Sequence, residues 1–521
     1  MTQTLIGLDY AGVPCVKITK GSIDAATEPD SNVGSFLYNS KWSKDYKIAG
    51  IDLIPQVGGD TFWPPGAGLS NYTKFSAPQF SARADSQWNY FRSGHFPDLN
   101  YSIPLVDIKA RRISNGRFVA GQLQRLIYGP ELSGARRNGV WYQPAETAFG
   151  WGTGMTVYYQ SSTGFIASGS VVSSTFRNDD NTPDGESFYY NLSLWDLPGN
   201  NVPITDGAPV APVSGATVIQ IDSAGARVAK PGFDLNNITR PSQLAFNSAR
   251  SPTKIIGSGD IACPVGVTNY DISVTIPPNA QADVHFYSGS TIAYPMNPTG
   301  TTDQLFGAEY WFEGSLIRFN NPNEACRARF VIYANSTEGV SSGNNDVLRQ
   351  FVEGGQEVVQ ILRPGAANPP RFADIVVDSR WPCIQILAEG YIPVGSGALE
   401  HVVNFNGAGC FPMVKYNTVH AGGSFAQNIG AGNVESWGAR SRVPFFSRCA
   451  VRNGASWQGN ICGNASWCSL TQNQAVFRTY VGQPLRLEYF TATQYANRNP
   501  DVLYDTNPII GIRYYILGIP A

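Results

Sequence analysis

Two short segments combine a tryptophan with a carboxylate, the pairing that a glycan hydrolase needs. Trp311 and Glu313 lie within Glu309-Tyr-Trp-Phe-Glu313, and Trp195 precedes Asp196. Hydrolysis of a glycosidic bond requires two carboxyl groups held about 5–10 Å apart beside the sugar. Because no spacing in the sequence forces such a pair together, we interpret these residues as structural residues of strands and predict that the chain is not an enzyme.

A second polar segment, Asp180-Asn-Thr-Pro-Asp-Gly185, places two carboxylates ahead of a glycine, as calcium-binding loops do. Thr182 stands where a ligand carboxylate or amide belongs, and Asn191 replaces the bidentate glutamate that closes such a loop. We therefore interpret Asp180–Asp184 as a polar surface turn. The four histidines are scattered singly, so the sequence predicts no metal site.

Glycine-rich Gly150-Trp-Gly-Thr-Gly154 is the nearest approach to a phosphate-binding loop. It precedes Met155-Thr-Val-Tyr-Tyr159, which has the pattern of a strand, whereas phosphate binding of this kind requires a helix N-terminus. The phosphate-loop, zinc-protease and serine-hydrolase motifs are absent from the sequence. The sequence therefore predicts no cofactor.

Two tryptophans near the C-terminus are the strongest candidates for a binding site. Trp457 and Trp467 end the near-tandem segments Asn453-Gly-Ala-Ser-Trp457 and Gly463-Asn-Ala-Ser-Trp467. Indole rings stack on sugars and also pack on protein partners. The sequence predicts loops here, and leaves open whether the rings fold back over a sheet or form an exposed binding tip.

Composition and charge exclude several classes of protein. Charged residues make up only 15% of the chain, against roughly 25% in ordinary proteins, while 54 glycines and 35 prolines favour turns. A net charge of -2 provides no general attraction to nucleic acid or to anionic lipid. The sequence shows neither a signal peptide nor a long apolar run, so we expect synthesis in the cytoplasm and no membrane insertion.

The eight cysteines are few for a disulfide scaffold and include no C-x-x-C pair. We expect buried free thiols, with bridging among the last five cysteines as the alternative. The sequence leaves open the disulfide state of Cys449, Cys462 and Cys468.

An internal repeat organises the chain. Asn39-Ser40, Asn247-Ser248 and Asp378-Ser379 occupy the same position in three copies, and a glycine follows each serine 10 or 11 residues later. In each copy, strand-like residues reach a turn ending in glycine, and a second short apolar strand ends at the Asn/Asp-Ser pair. We expect that pair to form a turn in which the side chain hydrogen-bonds its own backbone.

The repeat and the turn-rich composition predict an all-β fold, a string of antiparallel β-sandwich-like modules that each begin with a repeated entry hairpin. The predicted modules are 1–200, 213–340 and 356–521, separated by Pro198–Pro212 and Gly339–Asn345. We expect short helices only around 346–352 and 117–128.

The second copy carries a family resemblance. Lys230-Pro-Gly-Phe-Asp234, Leu244-Ala-Phe-Asn-Ser248 and Lys254-Ile255 follow one another in an order that resembles small virion-associated proteins and tail-tip or tail-fibre modules of tailed bacteriophages. The first copy lacks the proline, and the third has Val377-Asp378 in place of Phe-Asn. The entry segments cover about a quarter of the chain. The motif contributes no catalytic residue.

The resemblance implies a virion component, most simply a tail tip or tail fibre that takes part in host attachment. Its partners would be copies of itself in a homotrimer, other tail proteins and a host surface receptor such as a glycan. It also implies that 1–200 anchors the chain to the particle and that the C-terminal module faces the receptor. A capsid decoration or head fibre protein, and a carbohydrate-binding or glycan-degrading β protein, are the alternatives.

Overall fold

The computed structural model describes twelve continuous ranges, together with residues 115–117 and 444 and the further strands bounded below. The ranges are 3–41, 213–239, 243–249, 254–295, 306–322, 324–334, 340–343, 346–381, 384–395, 397–420, 466–481 and 509–521.

The part of the chain before residue 200 contributes thirteen strands. They are β1 (Gln3–Leu8), β2 (Pro14–Thr19), β3 (Phe36–Asn39), β4 (Gly50–Ile54), β5 (Gly59–Trp63), β6 (Thr73–Ala77), β7 (Ser86–Phe91), β8 (Leu105–Arg112), β9 (Phe118–Gly121), β10 (Gln124–Tyr128), β11 (Gly139–Gln143), β12 (Ser173–Phe176) and β13 (Phe188–Asp196).

The middle of the chain contributes ten strands. They are β14 (Ile219–Asp222), β15 (Gly225–Ala229), β16 (Leu244–Asn247), β17 (Lys254–Cys263), β18 (Gly266–Asp271), β19 (Gln281–Ser288), β20 (Thr291–Tyr294), β21 (Gly307–Glu313), β22 (Leu316–Asn321) and β23 (Cys326–Ala334).

The remainder contributes sixteen strands. They are β24 (Leu348–Glu353), β25 (Gln356–Leu362), β26 (Ile375–Asp378), β27 (Gln385–Pro393), β28 (Gly397–Asn404), β29 (Cys410–His420), β30 (Gly423–Ala426), β31 (Val434–Trp437), β32 (Arg440–Arg442), β33 (Arg448–Asn453), β34 (Ser456–Ile461), β35 (Ser466–Leu470), β36 (Gln474–Val481), β37 (Leu485–Arg486), β38 (Asp501–Val502) and β39 (Ile509–Pro520).

The fold is all-β, as the sequence predicts. Single-turn 3-10 helices lie at Val33–Ser35, Leu235–Asn237 and Phe372–Asp374, and the residues that the structure describes include no α-helix. Both short-helix predictions are wrong, because Leu348–Glu353 forms β24 and 118–128 contains β9 and β10. Phe351 and Val352 suit a strand, and β24 pairs along its whole length with β25, so pairing outweighs a faint helical periodicity.

Each repeat copy forms its own antiparallel sheet of three strands, in the orders β1-β2-β3, β14-β15-β16 and β24-β25-β26. The serine of each copy makes the same two bonds: its hydroxyl accepts from the backbone N–H of Val16, Ala226 or Val359, and its own N–H donates to the carbonyl of that residue. The pairing of the second and third strands shifts register at the same point in every copy.

The predicted turns at the Asn/Asp-Ser pairs are confirmed. The side-chain Oδ1 atoms of Asn39, Asn247 and Asp378 each accept a hydrogen bond of 3.0 Å from the backbone N–H two residues later. The three copies are therefore the same structural unit, down to individual hydrogen bonds.

The three units share one hydrophobic core, although they lie far apart in the sequence. Buried residues from every copy meet there: Val16, Ile18, Tyr38, Ala226, Val228, Ala245, Phe246, Val347, Ile361, Val376 and Val377. The Tyr38 hydroxyl also donates to the carbonyl of Ala245, 3.3 Å away, so the first unit is hydrogen-bonded to the second.

Larger sheets join strands from different parts of the chain. One seven-stranded sheet has the order β18-β22-β21-β9-β8-β13-β4, and another has the order β17-β23-β19-β20-β35-β36-β28. A four-stranded sheet has the order β10-β11-β33-β34. The module boundaries at 1–200, 213–340 and 356–521 stay a prediction, and strands from these segments pair with one another.

We expect each of Ser40→Ala, Ser248→Ala and Ser379→Ala to lower the free energy of unfolding by about 1–3 kcal/mol, because each leaves a buried or half-buried backbone N–H without its acceptor. Urea unfolding of the three variants measures the loss, with Ser288→Ala at an exposed position as the control. Unchanged midpoints in all three variants would contradict the equivalence of the units.

Candidate functional site: a cavity beside Trp311

A cavity of about 560 Å³ lies where three separate segments meet. The first segment includes the end of β8 and the start of β9, and the second is 276–281, which leads into β19. The third is the end of β21 with the turn that follows it. A turn closed by a bond from the N–H of Ala280 to the carbonyl of Pro277 shapes the second segment. The N–H of Ile276 donates to the carbonyl of Gly314, which ties the second segment to the third.

The lining combines aromatic rings, amides and one guanidinium group. Its polar and aromatic residues include Arg111, Asn115, Phe118, Asn279, Gln281 and Trp311. None of the residues that line the cavity is an aspartate or a glutamate. The volume is within the roughly 300–1,000 Å³ that small-molecule sites occupy.

Contacts on its own sheet hold Trp311 in place. The Arg117 guanidinium lies over the indole, 3.9 Å from the ring centroid, and its Nη1 is 3.2 Å from the Glu309 carboxylate. Next to it, the rings of Phe118 and Tyr310 stack with centroids 5.1 Å apart. The aromatic wall of the cavity is therefore fixed before any ligand arrives.

Gln281 presents an unusual polar atom. The residue is only 4% exposed, and its Oε1 atom is buried without a hydrogen-bond partner in the part of the chain that the structure describes. Buried side-chain acceptors are nearly always paired, because leaving one unpaired costs on the order of 1–3 kcal/mol. Gln281 is also among the residues that line the cavity, but an oxygen this deeply buried is out of reach of a molecule bound there.

The carboxylates that the sequence places near Trp311 are already engaged. Glu309 pairs with Arg117, and the exposed Glu313 pairs with Arg318 at 3.0 Å. Trp311 and Glu313 lie on β21, and Trp195 and Asp196 lie on β13, so these are strand residues as the sequence predicts.

The loop placement of the two C-terminal tryptophans is wrong. Trp457 lies on β34, opposite Arg452, and Trp467 lies on β35, opposite Arg478. Around Trp467 the strand alternates buried Ser466, Cys468 and Leu470 with half-buried residues, one of which is Trp467 itself. Tryptophan favours strands, and this preference outweighs the turn-forming glycine and asparagine residues that precede each tryptophan in its segment. The binding role of Trp457 and Trp467 stays a prediction.

The remaining sequence predictions concern the calcium-like turn, the glycine-rich segment, metal binding and the cysteines. The Asp180–Asp184 turn and Gly150–Gly154 lie outside the described residues. Within the described residues no group of three His, Cys, Asp or Glu side chains is placed to hold a metal ion. Free thiols there are those of Cys15, Cys263, Cys326, Cys410 and Cys468.

No family model, curated protein or solved structure matches the chain. In the part of the chain that is described, no helix has the length and apolar character needed to cross a membrane. Any function assigned to this protein therefore depends on its own residues and geometry.

The sequence identified Trp311 but missed Arg111, Asn115, Asn279 and Gln281 as its neighbours. These residues come from segments separated by more than 150 positions, and none belongs to a motif. Only the pairing of β9 with β21 and the path of 276–281 bring them to one cavity.

Proposed function

We propose that this protein is a structural component of a bacteriophage virion, located at a tail tip or tail fibre and involved in host attachment. The observation that carries the proposal is the threefold occurrence of one unit, which resembles tailed-phage virion modules and repeats the same serine and Asn/Asp bonds. The unit contributes no catalytic motif and serves to hold other surfaces in place, which is typical of an assembly element.

The outer strands of the units supply surfaces for assembly. The first strand of every unit is an edge strand, and each exposes a large apolar side chain: Leu8 is 63% exposed, Ile221 36% and Val352 73%. Unpaired apolar edges are a liability in a protein that works alone, and pairing with another chain covers them. These edges support contacts with further copies in a homotrimer or with other tail proteins.

Within the proposal, 1–200 anchors the chain to the particle and the C-terminal module, with Trp457 and Trp467, faces the host receptor. This placement follows from the resemblance, because fibre-like proteins of that kind usually attach to the particle through their N-terminal part and contact the host with a distal part. Light scattering of the purified full chain measures the copy number, and we expect three. A strictly monomeric solution would contradict the homotrimer.

Immunogold labelling of purified particles tests the location. We expect an antibody against this chain to label the tail end of intact phage particles, and mass spectrometry of those particles to find the chain. Labelling on the head would assign the chain to capsid decoration or a head fibre instead. Particles free of the chain, alongside a lysate that contains it, would overturn the proposal.

A further inference from the structure

We propose that Cys263 and Cys326 form a redox-active pair, which a small-molecule disulfide converts into a disulfide bridge. Both thiols are free in the structure, so the bridge is a reversible covalent modification of this site. Nothing in this inference requires the chain to be part of a virion. The bridge is detected on the purified chain and particle location by labelling, so the failure of either proposal can be told from the failure of the other.

Strand register places the two cysteines directly opposite each other. β17 ends at Cys263, β23 begins at Cys326, and these residues form the last opposed pair of the ladder between the two strands. Opposed residues of an antiparallel pair have Cα atoms about 4.5 or 5.5 Å apart. Both distances lie within the roughly 4.4–6.8 Å that disulfides span, so the bridge needs little movement of either strand.

The two thiols already interact with each other. A hydrogen bond between them lowers the pKa of Cys263, although burial opposes the shift, and the same bond together with burial raises the pKa of Cys326. The proton that one thiol keeps therefore stabilises the thiolate of the other, and thiolate is the form that attacks a disulfide. By contrast, burial raises the pKa of Cys410 and of Cys468, so these thiols are less reactive than the pair.

The pair lies at a corner where the chain passes between the two seven-stranded sheets. β17 leads into β18 of the other sheet, and β22 of that sheet leads into β23. The corner is at the surface, since Val265 is 60% exposed and Val267 57%. Because Cys263 is fully buried and Cys326 half-buried, a dissolved reagent reaches Cys326 first.

The buried Asn321 side chain holds the connection from β22 to β23 in place. Its Nδ2 atom donates to the carbonyl of Cys263 at 2.9 Å and to that of Glu324 at 2.7 Å, and it lies 3.8 Å from the Cys326 sulfur. This amide therefore keeps the Cys326 thiol beside Cys263 before any oxidant arrives.

Oxidised glutathione, a small-molecule disulfide, supplies the oxidant. The Cys326 thiol loses its proton and attacks one sulfur of the reagent, which forms a mixed disulfide and releases one small thiolate. The Cys263 thiol then loses its proton and attacks the Cys326 sulfur, which forms the bridge and releases the second small thiolate. The protein thus loses two protons and two electrons, and the reagent takes them up to become two thiols.

The test first reduces the purified full-length chain, removes the reductant and adds oxidised glutathione. The chain is then unfolded, its remaining thiols are blocked with iodoacetamide, and it is digested with trypsin. Cleavage after Lys254, Arg318 and Arg327 leaves the two cysteines in separate peptides, 255–318 and 319–327. We expect mass spectrometry to find these peptides joined by a disulfide, and to find them separate after dithiothreitol.

Cys326→Ser is expected to leave Cys263 reduced, because the buried thiol then has no partner. In the unaltered chain oxidation should raise the urea midpoint, since the bridge closes a loop of about 60 residues, and Cys326→Ser should show no such shift. Cys410→Ser is the matched control. It replaces another buried thiol, whose sulfur lies 4.0 Å from Oε1 of Gln385, and it should still form the bridge.

Three results would overturn the proposal. The first is recovery of 255–318 and 319–327 as separate, alkylated peptides after oxidation. The second is the same midpoint shift in Cys326→Ser as in the unaltered chain. The third is oxidation of Cys410 or Cys468 as readily as of the pair.

Discussion

Replacing Asp283 by asparagine is expected to destabilise the protein by about 3–5 kcal/mol, the largest effect we predict for a single substitution. The Asp283 carboxylate on β19 lies 2.7 Å from the Lys109 ammonium on β8 and 3.1 Å from that of Lys415 on β29. The hydroxyl of Tyr333 also donates to it, at 3.3 Å. All of these groups are buried or nearly so.

Asp283→Asn is costly because it removes an ion-pair partner from a site away from water. Two buried ammonium groups share one carboxylate, and their positive charge holds the pKa of Asp283 far below its usual range despite the opposing effect of burial. Neutralising Asp283 removes the carboxylate that both ammonium groups contact in a site from which solvent is excluded. Three parts of the chain meet at this carboxylate, so its loss should weaken the packing of all three.

Denaturant unfolding compares Asp283→Asn with Asp346→Asn, which makes the same change at an exposed position and should alter the free energy of unfolding little. The triple variant Lys109→Met, Asp283→Leu and Lys415→Met should recover much of the loss, because apolar groups of similar size can replace a buried ion cluster. If Asp283→Asn is as stable as the unaltered chain, the cluster does not hold these segments together.

Acidification is expected to destabilise the protein through His285 well before carboxylates titrate. Burial lowers the pKa of His285 to about 3, although the nearby Asp283 carboxylate opposes the shift, and the positive charges of Arg329, Lys415 and Lys109 add to it. The imidazole packs on the Tyr294 ring, with centroids 4.5 Å apart. Its Nδ1 atom is buried without a hydrogen-bond partner in the described part of the chain.

The sign follows from proton linkage. The unfolded chain protonates this histidine near pH 6.5, whereas the folded protein keeps it neutral down to about pH 3. Its contribution to stability is therefore complete above about pH 6.5 and is lost as the pH falls, at about 1.4 kcal/mol for each pH unit. Between pH 6.5 and 5 this amounts to about 2 kcal/mol.

Urea midpoints at pH 7.5, 6 and 5 measure this slope. Asp283 adds its own loss only below its ordinary pKa of 3.8, since its folded pKa is depressed, so this pH window separates the effect of His285 from that of Asp283. His285→Gln should remove most of the slope, whatever its effect on stability at pH 7.5. A variant that keeps the full slope would show that another group titrates in this range.

The sequence by itself determined the repeated unit. The Asn/Asp-Ser pair, the turn before it and the apolar strand between them predicted the hairpin in each copy, because its serine bonds join residues within about 25 positions of one another. Such bonds depend on residue type and short spacing, both of which can be counted along a chain. Local pattern gave the wrong prediction, a short helix, at 346–352 and 117–128, where pairing with distant or neighbouring strands outweighed a faint helical pattern.

Only the tertiary structure decided which units and side chains meet. The shared core of the three repeats, the cavity that joins Gln281 to Trp311, and the cluster of Lys109, Asp283 and Lys415 all link residues that are far apart in the sequence. No local spacing encodes these contacts, since strand register and burial across whole sheets select them. The residues that line the cavity lie in the stretches of sequence between the repeated units, which explains why the sequence identified the units but missed most of the cavity.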